Sequence, residues 1–382
     1  PASGHSRQSN ISISGIFSIS LYWLSCCIGL VAANEKNIPD ASLPWSELQY
    51  QKSSLINGVE LDESTRRTEA RGSDIWPITW AEDGHQYTSF GDGGGFGGSN
   101  SEGRVSMGVS RVEGGPDNYR GYNVWGGKDA ENPVQFKGKG TGILCVDGIL
   151  YMWVAGPGSH TVPRTRIAYS QDHAKTWELA DWELTMQDRL FAGVFVNAGK
   201  DYADAPDDYV YSCFTRVEPP PEEERNWIHE KPGRVDLARV PRKRILQRSA
   251  WEWFAGTGSQ GRAQWTENLD KRVATFEDPN GIKVVSLCYQ PQLGRYLLLY
   301  NPRDSLGNFA LFEARHPWGP WYQGTYLKSI PMFMPPEEPW RVSIYHFAPA
   351  WWSEDGSEFT LIFNTGDDAW NTIRGRLILG RP

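Results

Sequence analysis

Five short apolar runs of similar texture recur along the chain: QYTSFGDG from residue 86, LYMWVAG from 150, YVYSCFT from 209, RYLLLYN from 295 and EFTLIFNTG from 358. Each mixes β-branched and aromatic residues over the length of a strand and is bounded by turn formers. Hairpin chemistry precedes four of them, at Asp83-Gly84, Asp147-Gly148, Leu293-Gly294 and Asp355-Gly356. A further strand-like run follows each: RVSMGVSRV, RTRIAYSQD, RVDLARVP, NFALFEARH and NTIRGRLIL. The starts are separated by 64, 59, 86 and 63 residues, and the long interval holds the proline- and glutamate-rich VEPPPEEERNWIHEKPG (217–233), which reads as an inserted loop. Five units of about sixty residues, each with three or four antiparallel strands, predict an all-β, five-bladed β-propeller. A sandwich would show about seven strands without this period.

The segment YSQDHAKTWE (169–178) supports that architecture. It resembles the Asp-box of sialidase-type propellers, with Ala174 where the motif has glycine, so Asp172 and Trp177 are expected to pin a turn between outer strands. HPWGPWYQG (316–324) and SAWEWFAG (249–256) have the same outer-edge character. The propeller is expected over 70–382, after an N-terminal segment, 34–69, that leads into it.

The first thirty-three residues differ. An apolar stretch, ISGIFSISLYWLSCCIGLVAA, follows Arg7 and ends in Val31-Ala32-Ala33. Small residues there suit a signal peptidase, so 1–33 is expected to be a signal peptide or an upstream extension, with cleavage near Ala33–Asn34. That predicts a secreted, periplasmic or cell-surface protein with no membrane attachment after cleavage. Of the 5 cysteines, Cys26 and Cys27 fall in this segment. Cys145, Cys213 and Cys288 each sit in an apolar run and read as buried thiols. Neither a disulfide framework nor metal-ligand spacing is visible, so no cofactor or metal is expected. The formal charge of −8 argues against a nucleic-acid partner. A monomer is expected.

Candidate chemistry gathers at SDIWPITWAEDGHQYTSFGDGGGF (73–96). Asp74 precedes the first inner strand, IWPITWA, and Asp92 closes the following strand 18 residues later. A hairpin over that distance returns both carboxylates to one end, and Gly91, Gly93, Gly94 and Gly95 allow close approach of a ligand. Two carboxylates at one mouth suit glycoside hydrolysis, one protonated and one ionised. Asp92 equally fits a turn residue, and Asp74 a strand-entry cap. Trp76, Phe96, Trp125, Trp265 and Trp351 offer faces for stacking sugars. Lys200 and Asp201, in AGKDYAD, and His346, in the fifth inner strand SIYHFAP, are candidates for substrate hydroxyls. Asp367 and Asp368 end a strand as Asp92 does.

The same opening motif resembles a five-bladed propeller family of formerly unknown function that includes the endo-D-arabinanases. FVNAGKDYADAPDDYVY (195–211), VDLARVPRKRILQRSAWEWFAG (235–256) and YQPQLGRYLL (289–298) extend the likeness over about residues 70–365. In the arabinanase members the catalytic carboxylates occupy the positions of Asp74 and Asp92. The resemblance therefore implies a glycoside hydrolase of furanose-rich polysaccharide, with Asp74 and Asp92 as an acid/base pair acting with inversion. The aromatic-rich C-terminal part and the 217–233 loop depart from the family pattern and bear on which polymer fits. Two other readings stay open: a non-catalytic carbohydrate-binding propeller, and a polysaccharide lyase using Arg341, Tyr345 and His346.

Overall fold

The computed structural model describes residues 45–156, 164–217, 233–302, 308–328, 344–364 and 368–380. The expected signal segment, part of the inserted loop, Arg341 and Asp367 lie outside them. Among the described residues, five antiparallel sheets follow one another along the chain as blades, each counted from its inner strand outward. Blade 1 consists of Asp74–Trp80, Gln86–Gly93, Val105–Glu113 and Arg120–Trp125. Blade 2 begins with Lys139–Val146, Ile149–Ala155 and Arg164–Ser170, with the short pieces Glu178–Leu179 and Leu184–Thr185 outside them. Blade 3 runs Leu190–Phe195, Tyr209–Arg216, Arg234–Pro241, Glu252–Thr257 and Ala263–Thr266. Blade 4 runs Ile282–Gln290, Arg295–Pro302, Phe309–Ala314 and Tyr322–Leu327.

Blade 5 closes the ring. Its strands Ile344–Trp352, Glu358–Asn364 and Trp370–Leu379 are completed by Ile56–Glu69, which pairs antiparallel with Trp370–Leu379. The propeller thus begins by residue 56, and the expected boundary at 70 is corrected: the segment expected to lead into the fold supplies an outer strand of the last blade. Joining the two ends of the ring in one sheet removes the open edge that five blades in a row would leave. Residues 45–53 run along blade 4 beforehand, with Ser46 N–H donating to Asn280 Oδ1 and Tyr50 stacked on Phe276.

The strand runs read as continuously apolar because both faces of each blade are covered. One hydrophobic cluster fills each junction between neighbouring blades. Between blades 2 and 3, for example, Trp153, Phe195, Phe214 and Trp251 pack together at ring distances of 5.1–5.6 Å. The Asp-box turn sits outside the 1–2 junction. Asp172 accepts from the Thr176 amide and hydroxyl, and Trp177 packs against Trp125 across that junction. His173 and Ala174 both take positive φ there, Ala174 holding at 68° a conformation that glycine adopts more readily.

Candidate active site at the inner-strand mouth

Asp74 is the first residue of the innermost strand of blade 1, and Gly91 faces it on the adjoining strand. Asp92 follows Gly91 near the end of that strand, between Gly91, which pairs with Met107, and Gly93, which pairs with Val105. Its backbone is left-handed, with φ 52°. The inner strand is irregular at the same level, bulging between Ile75 and Ile78, with φ 81° at Ile75 and 58° at Trp76. A β-branched residue at positive φ is a strained conformation that the surrounding packing must hold in place. Two residues at positive φ thus follow Asp74, and Asp92 itself is a third.

That support is aromatic. Trp76 is fully buried, its indole N–H donating to the Ser73 carbonyl and its ring packed against Phe90, Phe96 and Trp370. Above it, Ser73 Oγ accepts from the Gly95 amide, drawing the glycine loop over the strand start. A Cβ at Gly93 would lie 2.1 Å from the Gly72 carbonyl oxygen, so that position cannot carry a side chain.

Lys139, which the sequence reading did not single out, completes the site. It opens the innermost strand of blade 2, and its ammonium lies 2.5 Å from Asp92 Oδ2 and 4.0 Å from Asp74 Oδ1. Through that nitrogen, the two carboxylate oxygens are at most about 6.5 Å apart, against roughly 5–5.5 Å for retaining and 6.5–9.5 Å for inverting glycosidases. Arg104 donates to the Asp92 carbonyl, and its guanidinium lies 3.6 Å from Asp92 Oδ1. A lone lysine at a strand start was the available signal, and nothing in its local sequence separates it from other surface lysines. The arrangement holds one carboxylate in a close ion pair, with a second, less exposed carboxylate beyond the same cation.

His346, in the inner strand of blade 5, packs against the Ile75 backbone beside Asp74. Burial pushes its imidazole down to about 4, with the Ile75 backbone pulling weakly the other way. It is a neutral, buried ring, and its Nε2 has no hydrogen-bond partner among the described residues.

The structure corrects the other candidates. Trp76 and Phe96 form the floor beneath the aspartates and have no free face. Trp125 is buried at the blade 1–2 junction, its N–H bound to Gln135 Oε1. Trp265 lies on the outer edge of blade 3 with the Arg239 guanidinium 4.1 Å over its ring. Lys200 and Asp201 form a turn after the inner strand of blade 3. Asp201 accepts from the Gly148 amide and from Cys145 Sγ, at the far end of the strand that Lys139 begins. Both residues are therefore at the opposite mouth of the channel, roughly 20 Å away along an extended strand. There Glu82, Cys145 and Asp201 bring donor atoms within 4.8 Å of one another. The thiol donates to both carboxylates, and burial together with Glu82 pushes it far above its ordinary range, so a metal ion would first have to displace a firmly held proton.

Comparison with known proteins places this scaffold. The family signature of DUF4185, a domain of unknown function, matches residues 140–353, more than half of the chain. The chain belongs to the DUF4185 family. The matched stretch begins immediately after Lys139, so Asp74 and Asp92 lie outside it. No match to a curated protein is found. Among solved structures, a Bacteroides ovatus protein provisionally named a hydrolase aligns with a TM-score of 0.52 at 14% identity, covering 88% of this chain and 96% of its own. A GH43_1 enzyme from Xanthomonas citri, solved with xylose, gives 0.45 at 11% identity over 82% and 90%. An α-L-arabinofuranosidase from Podospora anserina, solved with cellotriose, gives 0.43 at 10% over 88% and 98%. At these identities the likeness is one of fold. The five-bladed propeller and the membership of a propeller family of formerly unknown function stand as expected.

Proposed function

We propose that this DUF4185 protein is a glycoside hydrolase that cleaves a furanose-rich polysaccharide, with Asp74 and Asp92 as its acid and base. The observation that carries the reading is the convergence of two carboxylates and Lys139 at the starts of neighbouring inner strands. The opening motif's resemblance to the endo-D-arabinanases, whose catalytic positions match these two residues, supports the choice of polymer. Asp92, paired with Lys139 and flanked by Arg104, takes the base role. Asp74, farther from the ammonium, donates the proton to the leaving oxygen. With the oxygens no more than about 6.5 Å apart, inversion needs Lys139 to give way so that a water can enter between acid and base.

The lyase reading loses support because the Tyr345 side chain is buried and its hydroxyl is engaged with the Asn308 carbonyl, away from any position a polymer could reach. Export by the 1–33 segment fits a substrate that is itself a polymer outside the cell, and is part of the proposal. Incubation with D-arabinan and other furanose polysaccharides tests it. Release of reducing ends without new ultraviolet absorbance supports hydrolysis. An unsaturated product would favour a lyase, and neither signal would favour a binding propeller.

A further inference from the structure

The aromatic pair Trp351–Trp352, at the end of the inner strand of blade 5, is left unused by the site at Asp74. It borders a cavity of about 920 Å³ between blades 5 and 1, which also takes in Trp80, Gly115, Ser353 and Thr360. That is toward the upper end of ligand clefts, which span roughly 300–1,000 Å³. Trp80 is the last residue of the strand that Asp74 begins, so the cavity opens at the opposite mouth, roughly 20 Å from the two aspartates. A second cavity of about 200 Å³ shares Trp80, Trp352 and Ser353 and extends the groove to Tyr289 and Gln292, beneath the channel.

The indoles are held in place before any ligand arrives. Trp80 donates its N–H to the Gly84 carbonyl, Trp351 to the Gly114 carbonyl, and Trp352 packs on Phe347 and Phe359. Trp80 and Trp352 stay half-buried, with part of each ring toward the groove. The charged residues of the wall are Glu60, Asp62, Glu358, Arg374 and Arg376, with acids in excess; Arg376 pairs with Glu60 at 2.5 Å, and Arg374 with Asp117 beside the groove. Preset aromatic faces among hydroxyl groups, on a wall with an excess of carboxylates, suit a flat, hydroxyl-rich ligand that carries no anionic groups. An anionic polymer would meet those carboxylates or have to break an ion pair to reach an arginine.

The geometry points to a second, non-catalytic binding site here for a segment of neutral polysaccharide, stacked on Trp80 and Trp352. A polymer held at this mouth stays with the protein after it leaves the catalytic one. The inference rests on the polysaccharide reading for its choice of polymer, but not on any chemistry at Asp74 or Asp92.

Affinity electrophoresis through gels containing arabinan, arabinoxylan or galactomannan tests it, with polygalacturonate as the charged control. The full chain carrying Asp92→Asn is compared with the same chain carrying also Trp352→Ala or Gly115→Leu. A Cβ at Gly115 would meet only the Asn118 side chain, at an ordinary 3.6 Å, so leucine narrows the groove without disturbing the core. The proposal expects retardation by at least one neutral polymer and an apparent Kd raised tenfold or more by either added change. Retardation unaffected by Gly115→Leu, retardation by polygalacturonate alone, or none with any neutral polymer overturns it. Wild-type protein that releases no reducing ends from a polymer the Asp92→Asn chain binds through this groove would sink the hydrolase reading and leave the groove standing.

Discussion

Replacing Gly91 by alanine tests the packing of the proposed site at its tightest point. A Cβ there would meet Asp74 Oδ1 at 2.5 Å, Lys139 Nζ at 2.9 Å and the Ile75 methyl at 3.3 Å. Gly91 does not have positive φ, so the added methyl strains no backbone and acts only through these contacts. The first two are ends of side chains that can swing, and restoring an ordinary separation moves the carboxylate by roughly 1 Å. A displacement of that size costs about 100-fold in rate, or about 2.7 kcal/mol of transition-state stabilisation. The cost to folding is smaller, about 1 kcal/mol, because the neighbours that give way are side-chain ends rather than backbone. The assay is kcat/KM for reducing-end release, beside thermal unfolding. Gly258→Ala serves as a control, its nearest neighbour being the flexible amide of Gln264 at 3.3 Å in blade 3. Activity of Gly91→Ala within threefold of wild type, at unchanged Tm, would refute the reasoning.

Three further outcomes are expected. Asp236 is wholly buried and shared by Arg216 and Arg272, so Asp236→Ala leaves two guanidiniums without their common counter-ion and destabilises by about 3–5 kcal/mol, read as a fall in the urea midpoint; a change under about 1 kcal/mol would contradict the burial argument. His346 titrates at about 4 when folded against 6.5 unfolded, so its contribution is fully present above pH 6.5 and is lost as the pH falls through 4, up to about 3 kcal/mol. His346→Gln should flatten urea midpoints between pH 7 and 4.5, and an unchanged slope counts against a buried neutral ring. Burial pushes the Cys145, Cys213 and Cys288 thiols up, Cys288 to about 12, so none should take iodoacetamide at pH 8 before unfolding; mass-spectrometric mapping that finds native labelling at any of the three contradicts this.

Much of the fold was legible because hairpin turns and strand composition are local signals. Asp83-Gly84 and Asp147-Gly148 do lie at the turns between first and second strands, and the five second strands fall where the repeat put them. The strand Ile56–Glu69 was not legible. Its sequence, INGVELDESTRRTE, is polar and largely exposed, and its partner lies some three hundred residues away, so no local pattern announces the pairing. The aromatic candidates failed for a related reason. A tryptophan clamped between two blades and one facing a sugar look alike in sequence, and a propeller with five interblade junctions consumes many of the first kind. Lys200 and Asp201 were counted among the residues for substrate hydroxyls although strand direction sets them apart from the aspartates: they follow an inner strand, whereas Asp74 and Lys139 begin one. Lys139 itself appears only when two blades are set side by side.

The central claim is tested most directly by reducing-end release from D-arabinan and related furanose polymers, measured for wild type, Asp74→Asn and Asp92→Asn, with folding checked by circular dichroism. Each substitution keeps the shape of the side chain and removes its ability to ionise. The account predicts an active wild type and a loss of at least a hundredfold in each folded variant. Activity that survives in either variant removes that residue from the mechanism, and survival in both contradicts the account.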